Sequence, residues 1–126
     1  EGEEKDSLKD SAKIIARIFY RDLGIYAYNS KDFKKAYSYF VKELELCIET
    51  LGEESQGSAK SYYLAALALY NKAEYMSELE KAIELCQKAL QIQKKFLKAD
   101  DNELKNTEIL LSEMKDFYAS QKNGAN

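Results

Sequence analysis

Apolar residues recur at spacings of three and four along most of the chain, which is the period of an amphipathic α-helix. The chain contains no proline and only five glycines, so few residues interrupt that pattern. We therefore predict an all-α fold. The predicted helices cover residues 6–29, 32–51, 56–74, 77–98 and 102–121, within one helical domain over residues 6–121. Residues 1–5 and 122–126 are expected to be disordered.

The predicted helices differ in how much of their circumference is apolar. The first helix carries two adjacent apolar stripes, formed by Leu8, Ala12, Ile15, Ala16, Phe19 and Leu23, and by Ile14, Ile18, Ile25 and Tyr28. The third helix is apolar on most sides, so we expect it to have neighbours on several sides. Asn29 is expected to adopt a left-handed conformation in the first turn, Asp32 to cap the second helix, and Gly52 to end it.

The predicted helices also repeat along the sequence. The first helix maps onto the third at an offset of 44 residues, which pairs Ile18 with Tyr62, Ile25 with Leu69, and Tyr28 with Lys72. The fifth helix follows at the same offset. The second and fourth helices share a small residue followed four positions later by a larger one, at a slightly longer offset. These pairs are Ala36 with Phe40 and Ala82 with Cys86. Each repeat is therefore a helical hairpin.

These hairpins resemble the tetratricopeptide repeat (TPR) family. Tyr20, Leu23 and Gly24 match the aromatic, Leu and Gly of its first helix, and DFKKAYSYFVKELEL matches its turn and second helix. In the next hairpin Leu67, Ala68 and the run EKAIELCQKAL match again. The period near 44 is similar to the long repeats of the kinesin light chain, LGN and tonsoku type. The resemblance implies an α-solenoid of two hairpins plus a terminal helix. The motif proline is absent, and the turn at residues 73–76 is longer than usual.

The resemblance further implies a concave groove lined by the first helix of each hairpin. At the offset of 44, the groove would contain Ile18, Arg21, Ile25, Tyr28, Tyr62, Leu69, Lys72, Glu113 and Asp116. We expect such a groove to bind a peptide or helix of a partner protein, as an adaptor or scaffold does. The alternative is that Ile18, Ile25 and Tyr62 are ordinary core. Chaperone-tail binding is disfavoured, because the corresponding first-helix positions are Arg21, Ile25 and Ala66, and only the arginine suits a carboxylate.

Charge and composition narrow the function further. The net charge is −3 and no basic stripe is present, so nucleic acid is not an expected partner. The longest strongly apolar run, residues 62–70, is about half of the ~20 residues that cross a bilayer, so no membrane association is expected. Without histidine, triads and the common proton shuttles are absent, and we expect no enzymatic activity and no cofactor.

The two cysteines, Cys47 and Cys86, are too few for a disulfide framework or a metal site. Both lie in helical patterns beside apolar residues, so we expect two reduced, buried thiols in an intracellular, cytoplasmic protein. The sequence begins at Glu1, which leads us to expect a piece of a longer chain. A monomer is expected. The alternative function is a structural repeat that self-associates or stacks on further repeats.

Overall fold

The computed structural model describes residues 2–124, apart from the side chains of residues 2, 3 and 6. This part of the chain consists of five α-helices and contains no strand. The helices are α1 (Gly2–Asn29), α2 (Phe33–Leu51), α3 (Gln56–Lys72), α4 (Met76–Phe96) and α5 (Asn102–Gly124). The all-α prediction is confirmed, and none of these helices combines the length and hydropathy required to cross a bilayer.

The outer helices are longer than the sequence pattern predicted. Residues 2–5 belong to α1 and residues 122–124 belong to α5, instead of forming disordered tails. The reason is that neither segment contains a proline that would end a helix, and acidic residues near a helix N-terminus interact favourably with its dipole. The remaining residues of the two predicted tails, 1, 125 and 126, lie outside the described part of the chain.

Local hydrogen bonds fix the first two turns. The Asp32 carboxylate accepts a hydrogen bond from the backbone N–H of Lys35 at 3.1 Å, and the Ser55 hydroxyl accepts one from Ser58 at 3.1 Å. Gly52 follows α2 with φ +91°, a conformation that suits glycine. In the first turn the residue with positive φ is Lys31 and not Asn29, which instead completes the last turn of α1. The cap at Asp32 and the stop at Gly52 are as predicted.

Each helix packs against the next one along the chain. In addition, α1 contacts α3 through an Asn71–Tyr28 hydrogen bond, and α3 contacts α5 through an edge-on pair of Tyr70 and Phe117. The odd-numbered helices therefore form one layer, with α2 and α4 in the other. As predicted, α3 is central, because it packs against α2, α4 and α5.

Small residues lie where the helices cross. In the first hairpin, Ala27 of α1 and Ala36 of α2 are almost fully buried against Phe40. In the second hairpin, Ala66 of α3 and Ala82 of α4 are fully buried. A side chain of one carbon lets two helix backbones approach closely while the larger neighbours fill the space around the crossing. Ala36 and Ala82, the small residues of the pattern that the second and fourth helices share, both lie at such crossings.

The buried positions show how the two hairpins correspond. Gly24 and Ala27 pack on the second helix of their hairpin, as do Ala66 and Leu69, which lie 42 residues later. The first helices are thus related by 42 residues, and not by the 44 that the sequence pattern predicted. The second helices, matched at Ala36 and Ala82, are related by 46 residues. The turns before α2 and α4 both have three residues, so the turn at residues 73–76 is not longer than its counterpart. The extra residues belong to the helices: α4 begins six residues before Ala82, whereas α2 begins three residues before Ala36.

Gly24 is the tightest point of the first hairpin. A Cβ atom at this position would lie 2.4 Å from Cε1 of Phe40, whose side chain is 1% exposed and has no free space to move into. We expect Gly24→Ala to lower the free energy of unfolding by ~1–3 kcal/mol, because the added methyl group overpacks this contact. The measurement is chemical denaturation followed by circular dichroism.

Gly57→Ala is the matched control. A Cβ atom there would meet only the end of Leu51, a flexible side chain that is 47% exposed and can turn away. This variant should therefore stay within about 0.5 kcal/mol of wild type. Equal stability of Gly24→Ala and wild type would mean that Phe40 is not fixed against α1.

Both cysteines are free and buried, as predicted. The Cys47 sulfur lies 3.2 Å from the hydroxyl of Ser61, and the Cys86 thiol donates to the backbone carbonyl of Thr107. Burial raises the pKa of Cys86 to about 12, although Lys115 lowers it slightly. The thiolate, which is the reactive form, is therefore scarce at Cys86.

We accordingly expect a thiol reagent at pH 8 to label native Cys86 slower than the unfolded chain by on the order of 100-fold or more. Mass spectrometry of timed reactions with and without denaturant checks this rate. Cys47 should also be slow because it is 1% exposed. Rapid labelling of Cys86 in the folded protein would contradict its burial between α4 and α5.

Candidate functional site

Helix α1 presents more exposed apolar surface than any other helix of the described chain. Only one of its faces packs on α2, at Gly24 and Ala27. Eight large apolar side chains of α1 are at least 40% exposed: Leu8, Ile14, Ile15, Ile18, Phe19, Leu23, Ile25 and Tyr26. An exposed apolar surface of this extent on a charged protein is typical of an interaction site.

One of the exposed faces of α1 continues onto α3 and α5. The side-chain amide of Asn71 donates a hydrogen bond to the Tyr28 hydroxyl at 3.2 Å, which joins α1 to α3. Lys60 at the start of α3 pairs with Glu103 at the start of α5, with 3.2 Å between the charged atoms. These contacts align the exposed edges of the three helices, and we name this surface the α1–α3–α5 surface.

The α1–α3–α5 surface is apolar and aromatic along its length, with charged residues between the rings. Its members are Ile18, Arg21, Ile25 and Tyr28 on α1, Lys60, Tyr63, Leu67 and Tyr70 on α3, and Glu113 and Phe117 on α5. Ile18 is 58% and Phe117 44% exposed, whereas the three tyrosines are half-buried. Burial is the main cause that raises the pKa values of Tyr63 and Tyr70, and the Glu113 carboxylate contributes to both.

The structure brings together only part of the predicted groove. The four predicted residues of α1 and Glu113 belong to the surface. Tyr62 and Leu69, which were expected to line the groove, are buried at 9% and 3% exposure in the core beside α4. Lys72 pairs with Glu78 at the start of α4 and lies beside Tyr37 of α2, on the other side of α3. Asp116 is exposed, and no described contact joins it to α3.

The physical reason for these corrections is the helical rotation between the two offsets. Successive residues of a helix are rotated by about 100°, so an error of two residues turns a predicted side chain by about 200°, to the opposite face. At the observed offset of 42, the positions that match Ile18, Arg21, Ile25 and Tyr28 are Lys60, Tyr63, Leu67 and Tyr70. Aligning Gly24 with Ala66, both small, would have found them.

A cavity of about 190 Å³ lies at one end of this surface, between α1, α2 and the start of α3. Its walls are formed by Arg17, Ile18, Arg21, Asp22, Glu43, Cys47 and Gly57. Glu43 is 2% exposed and pairs with the guanidinium of Arg21. Its second oxygen, Oε1, and Nε of Arg17 are buried and have no hydrogen-bond partner among the described residues. Two side chains that line the cavity thus each carry a buried polar atom without a partner among the described residues, one an acceptor and the other a donor.

Burial raises the pKa of Glu43 above its ordinary value of 4.5, although Arg21, the Ser61 hydroxyl and Arg17 act in the opposite direction. An acid at this position is not needed for packing. The corresponding residue of the second hairpin, 46 positions later, is Ala89, which is fully buried. Removing a carboxylate from water costs free energy, and the fold can fill this position with an alanine, as the second hairpin does. Packing alone therefore does not explain the acid at position 43.

The chain matches no protein-family model and no curated protein. The resemblance to TPR proteins therefore stays a prediction. Among the side chains that the structure describes, no group of three or more acidic or cysteine residues is arranged to hold a metal ion.

The raised pKa of Glu43 predicts a pH-dependent stability difference between wild type and Glu43→Gln. A carboxyl whose pKa is raised in the folded state stabilises the fold when protonated and loses that contribution as the pH rises through the raised value. The glutamine side chain of the variant would stay neutral throughout. The variant should therefore gain stability relative to wild type between pH 4 and pH 8, as measured by urea unfolding at each pH.

The exposed Glu45 on the same helix provides the control, and the stability difference for Glu43→Gln should change with pH more than that for Glu45→Gln, because Glu43 is buried. If wild type instead gained stability over Glu43→Gln as the pH rises, the pairing with Arg21 would outweigh the cost of burial, and the pKa of Glu43 would be lowered.

Proposed function

We propose that this chain is a non-enzymatic protein-interaction module, an adaptor or scaffold, that binds a peptide or helical segment of a partner along the α1–α3–α5 surface. The observation that carries the proposal is the row of exposed and half-buried apolar side chains from Ile18 to Phe117 on adjacent edges of three helices. Binding would remove this apolar area from water, which is the main favourable term in most protein association.

The residues of this surface resemble those that dominate binding energies elsewhere. Tyrosine gives a large, rigid contact area with a polar tip, and Tyr28, Tyr63 and Tyr70 lie on the adjacent edges of α1 and α3. Arg21, Lys60 and Glu113 supply charges beside the rings, which would set the direction of a bound segment. A module of this kind needs no catalytic group, in agreement with the absence of histidine.

The cavity beside Glu43 supports a peptide as the ligand. A peptide amide carries both a carbonyl acceptor and an N–H donor. It could accept from Nε of Arg17 and donate to Oε1 of Glu43, the two atoms that lack partners. A bound segment whose amide groups reach these atoms would satisfy them, whereas a purely apolar ligand would leave them unpaired.

The proposal includes an intracellular, cytoplasmic location and a TPR-like repeat. The two buried thiols without a bridge support a reducing compartment. The hairpins with small residues at their helix crossings support the TPR-like repeat.

A library of random 15-residue peptides displayed on phage provides a ligand for the test. For a selected peptide, we expect Ile25→Asp and Tyr28→Ala each to raise the dissociation constant at least about tenfold, which corresponds to ~1.4 kcal/mol. Fluorescence anisotropy of the labelled peptide measures the affinity. Circular dichroism and urea unfolding of each variant establish that it remains folded.

Tyr75→Ala is the matched control, because Tyr75 is 68% exposed but precedes α4, away from the α1–α3–α5 surface. Binding by this variant should equal that of wild type. The proposal fails if Ile25→Asp and Tyr28→Ala bind as tightly as wild type, or if the library yields no peptide that binds the folded chain.

A further inference from the structure

A second exposed face of α1 points away from both α2 and the α1–α3–α5 surface. Its residues follow each other at alternating spacings of three and four: Lys5, Leu8, Ala12, Ile15, Phe19, Asp22 and Tyr26. All seven are exposed, with Leu8 at 71%, Phe19 at 62% and Tyr26 at 75%. We name this row the α1 seam. Apolar residues at such spacings are the pattern by which two helices pack in a coiled coil.

Before Asp10, α1 has no contact with another helix among the described residues. Lys13 pairs with Glu49, two residues before the end of α2, so α1 continues beyond the end of α2 by roughly 13 Å. Every side chain described between Glu4 and Ala12 is exposed. Isolated helices of this length are marginal in water, so a partner on the seam would stabilise the extension.

The charges within the seam indicate what that partner is. Among its seven residues only Lys5 and Asp22 are charged; they have opposite signs and lie near opposite ends of the helix. In a parallel pair of two α1 helices each charge would face its own copy, which is repulsive. In an antiparallel pair, Lys5 of each copy faces Asp22 of the other, so the interface contains two pairs of opposite charges.

We propose that the α1 seam binds a second copy of this chain, with the two α1 helices antiparallel and related by a two-fold axis. In this register Leu8 faces Phe19 and Ala12 faces Ile15, so these four apolar members meet one another, whereas Tyr26 lies beyond the paired residues. Such an interface is self-complementary, as a two-fold dimer requires. It does not depend on the proposed peptide binding, and it leaves the α1–α3–α5 surfaces of both copies open.

Mass as a function of concentration, by sedimentation equilibrium, gives the first test. We expect wild type to form a dimer, and Phe19→Glu to raise the dimer dissociation constant at least about 100-fold by placing a charge in the seam. Ile109→Glu is the matched control, since Ile109 is 57% exposed on α5, outside the seam, and this variant should dimerise like wild type. A monomeric wild-type chain, or a dimer that tolerates Phe19→Glu, overturns the proposal.

Exchanging the two charges tests the orientation and the identity of the occupant. Lys5→Glu and Asp22→Lys should each weaken the dimer, because each variant places like charges opposite one another. The double variant restores opposite charges and should dimerise like wild type. A different protein or a further segment of a longer chain on the seam would give no such restoration, so a double variant as weak as the single ones overturns the proposal.

A crosslinking experiment tests the register. A mixture of Leu8→Cys and Phe19→Cys chains should form an interchain disulfide between residues 8 and 19 on mild oxidation, because these positions face each other. Leu8→Cys alone should not crosslink, since its two copies lie about 11 residues apart along the helix, or roughly 16 Å. Efficient crosslinking of Leu8→Cys with itself would show a parallel pair and overturn the antiparallel arrangement.

Discussion

The close crossing of helices at positions without large side chains is the constraint on which the fold depends. In the first hairpin Gly24 leaves room for the ring of Phe40, and Ala36 is fully buried beside it. In the second hairpin Ala66 and Ala82 play the same part. Because one Cβ atom at Gly24 would already overlap the ring, the crossing fixes which face of each helix is turned inward. The remaining faces follow from it.

Fixing the inward faces produces an uneven distribution of apolar surface. Helix α3 is apolar on most sides and has neighbours on three of them, α2, α4 and α5. Helix α1 is also apolar on more than one side but packs mainly on α2, so most of its large apolar side chains remain exposed. The two surfaces for which we propose partners are both consequences of this difference, since an apolar helix face without a neighbour gains free energy when it is covered.

The first hairpin differs from the second at one buried position in a way that packing does not explain. Glu43 occupies the place that Ala89 fills in the second hairpin, and it lines a cavity together with two arginines. A buried acid is costly unless its oxygens are bound, and one of them has no partner within the described chain. The polar end of the α1–α3–α5 surface is therefore the place where a ligand with both a donor and an acceptor gains most.

The sequence by itself determined the helices, the caps at Asp32 and Gly52, and the small residues at Ala36 and Ala82, because helix periodicity, capping and side-chain size are local properties. It also placed Ile18, Arg21, Ile25 and Tyr28 on one face of α1. Only the tertiary structure decided how α1 and α3 align. The hairpins repeat at 42 residues in their first helices and 46 in their second, so no single offset describes both. The intermediate offset of 44 wrongly predicted that Tyr62 and Leu69, which are buried in the core, line the surface. Contacts between helices far apart in sequence decide which residues of α3, such as Tyr63 and Tyr70, lie on the same surface as α1.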